Sequence, residues 1–297
     1  MTEKRALITG LNGFTGSYVA EELRREGFRV FGADVLPDDC PDSYRVDLLD
    51  KAELGRVVRE IRPSVVIHLA AISFVAHGNA DAIYQINIIG TRNLLEVLAT
   101  EAPQLECLLL ASSANIYGNS NEGCLGETTP PNPANDYAVS KLAMEYMARL
   151  WMDRLPIVIV RPFNYTGIGQ ARQFLLPKIV GHFQRGEKRI ELGNIDVERD
   201  FSDVRMVAKA YCRLLQKAPT GQVFNVCSGT AWSLTQVLAM MEKIAGYRID
   251  VVVNPAFVRA NEVKHLQGDV SKLERCIGSL PSIALQDTLA WMFASQS

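Results

Sequence analysis

Three groups of residues have types and spacings that could do chemistry. Gly10, Gly13 and Gly16 stand in the run TGLNGFTG, between an apolar pentad, RALIT, and an amphipathic stretch. Glycines between a strand and a helix let the backbone turn tightly and approach a pyrophosphate, while the helix N-terminus offers N–H donors and the positive end of its dipole. The spacing is GxxGxxG, not the GxGxxG of the usual dinucleotide fingerprint, and its place at the chain start carries the reading. Asp34 follows 18 residues beyond Gly16. A carboxylate there accepts both ribose hydroxyls of an adenosine and repels a 2'-phosphate. No arginine follows at 35 or 36, so NAD(H) is favoured over NADP(H). Asp47, in VDLLD, is a second acid within reach of the adenine.

The second group is Tyr137 and Lys141, four apart on one face of an expected helix. An ammonium near a phenol favours phenolate, and a tyrosine tuned toward working pH passes a proton to or from a carbonyl oxygen. The third is Ser112 and Ser113, which end an apolar strand where doubly wound sheets bind ligands. A hydroxyl there can hydrogen-bond the same carbonyl oxygen.

These residues need a scaffold, and the apolar pattern supplies one. Strands are expected at 5–9, 29–33, 64–68, 106–111, 157–160 and 222–226. Helices are expected at 14–26, 51–61, 81–100, 136–154, 233–245 and 284–294. The strands are near-continuous apolar runs, as in a parallel sheet covered on both faces. A βαβα series of such strands predicts an α/β fold with a doubly wound parallel sheet of the Rossmann kind. The rhythm changes after Arg161. The division expected is a dinucleotide-binding domain over 1–164 and a smaller α/β substrate lobe over 165–297, with roughly 202–230 returning to the first sheet.

Composition excludes several classes. The chain has 297 residues, 48% hydrophobic and 22% charged, with a net charge of −2. That balance suits a globular enzyme and argues against disorder or a coiled coil. No basic run points to nucleic acid. The longest nearly apolar stretch, 65–76, is too short to span a bilayer. The N-terminus lacks the apolar core of a signal peptide, and the six cysteines show no CxxC spacing. They read as reduced, mostly buried thiols of a cytoplasmic protein without a metal site.

Taken with HLAA at 68–71, SSANIYG at 112–118, YAVSK at 137–141, RPFN at 161–164, RDFSDV at 199–204 and VRANEVKHLQGD at 258–269, the sequence resembles the extended short-chain dehydrogenases/reductases in their nucleotide-sugar branch. The resemblance covers nearly the whole chain. It implies that Ser113, Tyr137 and Lys141 are catalytic, with Lys141 also holding the nicotinamide ribose. Ser112 is the weaker candidate for the hydroxyl. The same resemblance places Asn12, Phe14, Thr15, Leu48, Leu69, Ala70, Ala71 and Asn87 with the glycines, Asp34 and Asp47 around the cofactor. Substrate contacts implied are Ser113, Asn164, Arg199, Arg259 and Glu262, with the two arginines on a diphosphate. Arg161 also fits a salt bridge at a strand end.

Within that branch, 4,6-dehydratases place at least one Glu after the serine, and fucose-type epimerase-reductases place a Cys. Here Ala114 and Asn115 stand there. The resemblance therefore implies hydride transfer to the C4 keto group of a GDP-4-keto-6-deoxy-hexose, giving GDP-D-rhamnose or its C4 epimer. A 4-epimerase, a dTDP-sugar reductase and a non-catalytic dinucleotide-binding protein are the alternatives. A homodimer is expected from the apolar surplus on the helix after Tyr137.

Overall fold

The apolar runs become the strands of one parallel sheet because helices cover both of its faces. In the computed structural model, which describes residues 3–36, 39–73, 79–118, 123–258 and 264–295, seven strands build it. They are β1 (Arg5–Thr9), β2 (Arg29–Asp34), β3 (Ser43–Arg45), β4 (Val65–His68), β5 (Cys107–Ala111), β7 (Ile157–Pro162) and β11 (Val223–Val226). Their order is β11-β7-β5-β4-β1-β2-β3, and every pairing is parallel.

Helices α1 (Phe14–Arg25) and α7 (Val204–Lys217) cover one face. Helices α2 (Lys51–Ile61), α4 (Thr91–Glu101) and α5 (Asp136–Arg149) cover the other. Side chains alternate between the two layers. Ile8 and Leu109 go down with Val19, Leu23 and Tyr211, while Leu7, Leu108 and Leu110 go up with Leu54, Leu94 and Met144. Each fully buried leucine or isoleucine of this kind stabilises the fold by about 1.5–3 kcal/mol.

The smaller lobe is built from short strands: β6 (Cys124–Leu125), β8 (Asn164–Thr166), β9 (Arg189–Leu192), β10 (Glu198–Asp203), β12 (Ala231–Ser233), β13 (Asp250–Val253) and β14 (His265–Gly268). Strand β10 pairs with β8, β12 and β14, and β13 pairs with β9. Helices α6 (Leu175–Gln184), α8 (Leu234–Ala245) and α10 (Leu285–Ala294) close a separate apolar core around Phe183, Leu192, Met241 and Leu289. Between β10 and β12 the chain returns to the large sheet, through α7 packed on α1 and β11 paired with β7. A short helix after β14, α9 (Ser271–Ile277), packs against α7 there.

Three expectations need correction. The helix expected over 81–100 is α3 (Ala80–Tyr84), a π-helical turn (Gln85–Gly90) and α4. The wide turn lets Gly90 sit against Leu48, where a β-carbon would lie only 2.9 Å from the leucine Cβ. The helix expected to reach 154 ends at Arg149. There the backbone tightens through Leu150 N to Met147 O and Trp151 N to Ala148 O, turning toward buried Leu155 and β7. The cysteines are not mostly buried: Cys107, Cys212 and Cys227 are, but Cys276 is half-buried and Cys40 and Cys124 are exposed. Among the described residues, no helix is long and apolar enough to cross a membrane.

Candidate active site

The carboxyl ends of the central strands open onto one cleft of about 1670 Å³. A pocket for one drug-sized ligand has about 300–1,000 Å³. This cleft is large enough for two such molecules end to end.

At one end β1 turns into α1. Gly10 has φ +80°, and a β-carbon on it would lie 2.8 Å from the amide nitrogen of Ala70. One on Gly16 would collide with the carbonyls of Gly10 and Leu11. The turn therefore requires glycine at both positions, and the resulting cradle fits a dinucleotide diphosphate. Gly13 caps α1 without a side chain, which leaves first-turn N–H groups without a side-chain acceptor. Asn12, Phe14 and Thr15 line the same wall, and Asn12 Nδ2 donates to Leu36 O at 2.9 Å. Asp34 ends β2 beside the turn and accepts from Leu11 N at 3.1 Å. Asp47, Leu48, Leu69, Ala70 and Ala71 complete this end.

Asn87 is placed differently from the expectation. Its side chain is buried and not on the cleft wall. The π-helical turn aims it at the segment after Ala71, where it accepts from Ile72 N (2.9 Å) and donates to Ile72 O (3.2 Å) and Ser140 Oγ (3.0 Å). It braces the cofactor wall from behind.

Midway along the cleft, Ser113 caps a short helical turn and accepts from Asn115 N at 3.2 Å, and its hydroxyl stands near enough to the Tyr137 phenol to act on the phenol's pKa. Tyr137 is in the first turn of α5, whose start Asn135 fixes by accepting from Ala138 N at 2.9 Å. Lys141 follows one turn later. Its Nζ donates to Ala111 O at 2.7 Å and lies 6.0 Å from the Tyr137 ring centre.

The expected lowering of the phenol's pKa is reversed in this arrangement. Burial raises the Tyr137 pKa, and the nearby Ser113 hydroxyl only partly offsets it. Lys141 bears the opposite cost. Burial lowers it to about 8, with the carboxylate of Glu145 pulling the other way. The phenol is therefore neutral and holds its proton firmly, so it would release it only to a strongly basic oxygen such as a developing alkoxide. His68 bridges Thr9 Oγ1 (2.6 Å) and Thr91 Oγ1 (2.8 Å). Thr91 gives its own proton to Asn87 O, so His68 donates from Nε2 and accepts at Nδ1. Burial, then Lys141, lowers its pKa to about 3, so it stays neutral.

Arg161 is a strand-end salt bridge. It forks onto Glu145 at 2.9 and 2.7 Å, both side chains buried, and holds α5 to β7. Breaking such a pair by removing one partner typically costs about 3–5 kcal/mol.

The far end belongs to the smaller lobe. Asn164 and Arg199 line it. Arg199 is buried and donates to Glu198 O (2.9 Å) and Lys264 O (3.2 Å). Next to it, Asp200 accepts from Ser228 Oγ (2.6 Å), Ser228 N (2.8 Å) and Gly229 N (2.9 Å), which fixes this stretch of β10. Arg259 and Glu262 lie outside the described residues. The structure adds two cations that the sequence reasoning missed, Arg172 and Lys178. Lys178 Nζ donates to Glu191 O at 2.6 Å and stands 4.5 Å over the Phe257 ring. Arg172 is exposed on the connection between β8 and α6. Its place after a strand of the RPFN segment was the available signal.

Charge is therefore sorted along the cleft. Its only described carboxylates, Asp34 and Asp47, are at the glycine end, while Arg172, Lys178 and Arg199 are at the other. Among the described residues, no three His, Cys, Asp or Glu side chains come together to hold a metal ion.

Known proteins share this plan. A family described as GDP-mannose 4,6 dehydratase matches residues 7–292. The chain is 34% identical to the GDP-6-deoxy-D-talose 4-dehydrogenase of Aggregatibacter actinomycetemcomitans over 93% of its own length and 92% of that protein's. It is also 34% identical to the GDP-6-deoxy-D-mannose reductase of Pseudomonas aeruginosa, over 96% and 95%. Among solved structures, a Burkholderia cenocepacia protein provisionally labelled an epimerase superposes with a TM-score of 0.91 at 52% identity, covering 98% of this chain and 97% of that one. RMD from Pseudomonas aeruginosa, complexed with NADPH, gives 0.86 at 32% over 98% and 97%. The Thermus thermophilus UDP-glucose 4-epimerase, complexed with NAD, gives 0.85 at 28% over 97% of each. With its glycine cradle, its Ser113–Tyr137–Lys141 centre and these matches along its whole length, the chain belongs to the GDP-mannose 4,6-dehydratase-like family of extended, NAD(P)-dependent short-chain dehydrogenases/reductases.

Proposed function

We propose that the protein reduces the C4 keto group of a GDP-4-keto-6-deoxy-hexose, giving GDP-D-rhamnose or its C4 epimer. The observation that carries this reading is what surrounds Tyr137. Apart from Lys141 and the Tyr165 phenol, the described cleft wall brings no acid or base near Tyr137: the carboxylates Asp34 and Asp47 are at the glycine end, no His or Cys lines the wall, and Ala114 and Asn115 follow Ser113. Dehydration needs a proton taken from sugar C5, and no carboxylate, His or Cys among the described residues stands beside Tyr137 to take it. Hydride transfer at C4 needs only a proton for the oxygen.

Gly10, Gly13, Gly16 and Asp34 would hold the dinucleotide, whose nicotinamide supplies the hydride when bound. Tyr137 donates its proton to the C4 oxygen as negative charge develops there. Ser113 donates a hydrogen bond to the same oxygen, a contact typically worth about 2.7–4 kcal/mol at the transition state. Lys141, cationic below about pH 8, stabilises the phenolate left behind. Arg199, Arg172 and Lys178 meet the diphosphate and nucleotide of the sugar. Two relatives named for GDP-6-deoxy sugars that differ at C4 support the GDP-sugar class and leave the face of hydride delivery to experiment. Asp34 favours NADH, although a relative is complexed with NADPH.

Exposed Ile89, Val139, Tyr146 and Leu150 crowd onto the π-helical turn and α5, an apolar face suited to a second copy of the chain. Light scattering at micromolar concentration tests the dimer, and a monomer mass removes it. The unpaired thiols suit a reducing compartment, the cytoplasm.

The deciding experiment supplies NADH or NADPH with GDP- and dTDP-4-keto-6-deoxy sugars and follows cofactor absorbance, with Tyr137→Phe as control. Oxidation with the GDP sugar alone, lost about 10²–10⁴-fold in the control, supports the reading. Epimerised sugar without net cofactor oxidation, or turnover of the dTDP sugar alone, overturns it.

A further inference from the structure

Two buried side-chain polar atoms among the described residues make no hydrogen bond, Ser112 Oγ and Ser202 Oγ. Most buried hydroxyls in folded proteins are paired, because an unpaired one forfeits its bonds to water. The two are not equivalent. Ser202 is in β10 and away from the cleft wall, whereas Ser112 is on it. Ser112 is only 2% exposed, and its amide is fixed to Val160 O at 2.8 Å, so its backbone has little freedom to turn the hydroxyl elsewhere.

Both neighbours of Ser112 are in the reaction centre. The Ala111 carbonyl takes the Lys141 ammonium at 2.7 Å, and Ser113 lines the cleft with Tyr137. A dinucleotide held by the glycine turn at its diphosphate, with its adenosine at Asp34, has only its nicotinamide half left to extend past Lys141. The sugar enters from the opposite, cationic end, and its C4 oxygen is claimed by Ser113 and Tyr137.

We propose that Ser112 is a binding residue for the nicotinamide half of the dinucleotide, exchanging a hydrogen bond with its ribose hydroxyls or its carboxamide. The proposal rests on the cleft accepting a dinucleotide, and not on which sugar is reduced. Pairing with the ligand would relieve the cost that the hydroxyl imposes on the free protein. Ser112 would then oppose stability before binding and favour affinity after it, a combination that a merely structural serine does not produce.

The test is Ser112→Ala, with Ser202→Ala as the control for an unpaired hydroxyl away from the ligand. Melting is measured without ligand, and calorimetry is run with NADH, ADP-ribose, ADP and GDP. Both variants are expected to melt at or slightly above the parent temperature. Ser112→Ala is expected to bind NADH about three- to tenfold more weakly, with ADP and GDP unchanged, while Ser202→Ala binds all four as the parent does. A parallel loss for ADP-ribose assigns the bond to the ribose, and a loss for NADH alone assigns it to the carboxamide. A lowered melting temperature for Ser112→Ala, unchanged NADH affinity, or an equal loss for ADP or GDP overturns the proposal. If wild-type protein binds NADH no better than ADP, the dinucleotide reading itself falls, a result distinct from a loss confined to the variant.

Discussion

The glycine end and the cationic end of the cleft are made from different materials. At the glycine end the wall is strand ends and the turn they feed. Gly10 abuts Ala70, Asp34 is tied to Leu11, and Asn87 clamps Ile72 from behind. At the other end, of the polar and charged residues expected or found to meet a substrate, Asn164 and Arg199 come from strands. Arg172 is on an exposed connection, Lys178 is on a helix, and the two remaining expected contacts, Arg259 and Glu262, fall outside the described residues. On the function proposed above, the sheet would fix the redox cofactor against Tyr137, while the less regular lobe would present the charges that select a substrate. Its two classes of cation should differ in energy as they differ in burial. A charge held out of water by strand neighbours contributes more than one screened by solvent.

The largest effect should come from Arg199. Arg199→Met keeps much of the apolar stem but removes the charge, so a diphosphate loses a charge-assisted partner worth about 1.5–3 kcal/mol. GDP affinity by calorimetry should fall roughly 10- to 150-fold, with NADH affinity changed less than twofold. Arg199→Lys, which restores charge without the fork, should recover part of the loss. Equal losses for GDP and NADH would show that Arg199 holds the lobe together without selecting its ligand.

The same contrast explains what the sequence could reveal. Strands β1, β2, β4, β5 and β7 were legible because burial on both faces makes each a near-continuous apolar run. The glycine turn and the Tyr137–Lys141 pair were legible because local spacing defines them. The two serines stood out because they follow the end of β5, but the choice of Ser113 over Ser112 came from the resemblance to the family. Strand β3, Ser-Tyr-Arg, was missed because it is short, polar and at the sheet edge, where pairing with β2 and packing of Tyr44 on Phe31 decide its state. The π-helical turn was missed because helical periodicity does not encode one extra residue in a turn. Arg172 and Lys178 were missed because nothing in their own segment says that α6 faces the same cleft as β10. The direction of the Tyr137 shift was misjudged because proximity to Lys141 can be read from spacing, whereas burial depends on the assembled lobe.

At the glycine end, Asp34→Asn should alter cofactor choice by an intermediate amount. Asparagine can still accept from Leu11 N, so the turn is preserved, while the negative charge that disfavours a 2'-phosphate is lost. The ratio of kcat/KM for NADPH to that for NADH should rise about tenfold, equivalent to about 1.4 kcal/mol. Because it is a ratio, general damage to the fold cancels. An unchanged ratio would mean that the carboxylate does not face the adenosine ribose.

The smallest effect should come from Arg172, and its size is the sharper test of the comparison. The side chain is exposed, so its attraction for a diphosphate acts through water and is screened by salt. Exposed ion pairs are typically worth about 0.2–1 kcal/mol, which corresponds to roughly a 1.5- to 5-fold rise in sugar-nucleotide KM for Arg172→Ala. The deficit should shrink toward zero as ionic strength rises from about 0.01 to 0.5 M, because the screening length falls from about 30 Å to under 5 Å. The deficit of Arg199→Met should persist over the same range, because that side chain is buried beside Glu198 and Lys264. A salt-independent loss at Arg172 as large as that at Arg199 would mean that the connection after β8 closes over the ligand and buries the guanidinium on binding. The two cations would then belong to one class, and the contrast between a preformed end and an exposed one would not hold once substrate is bound.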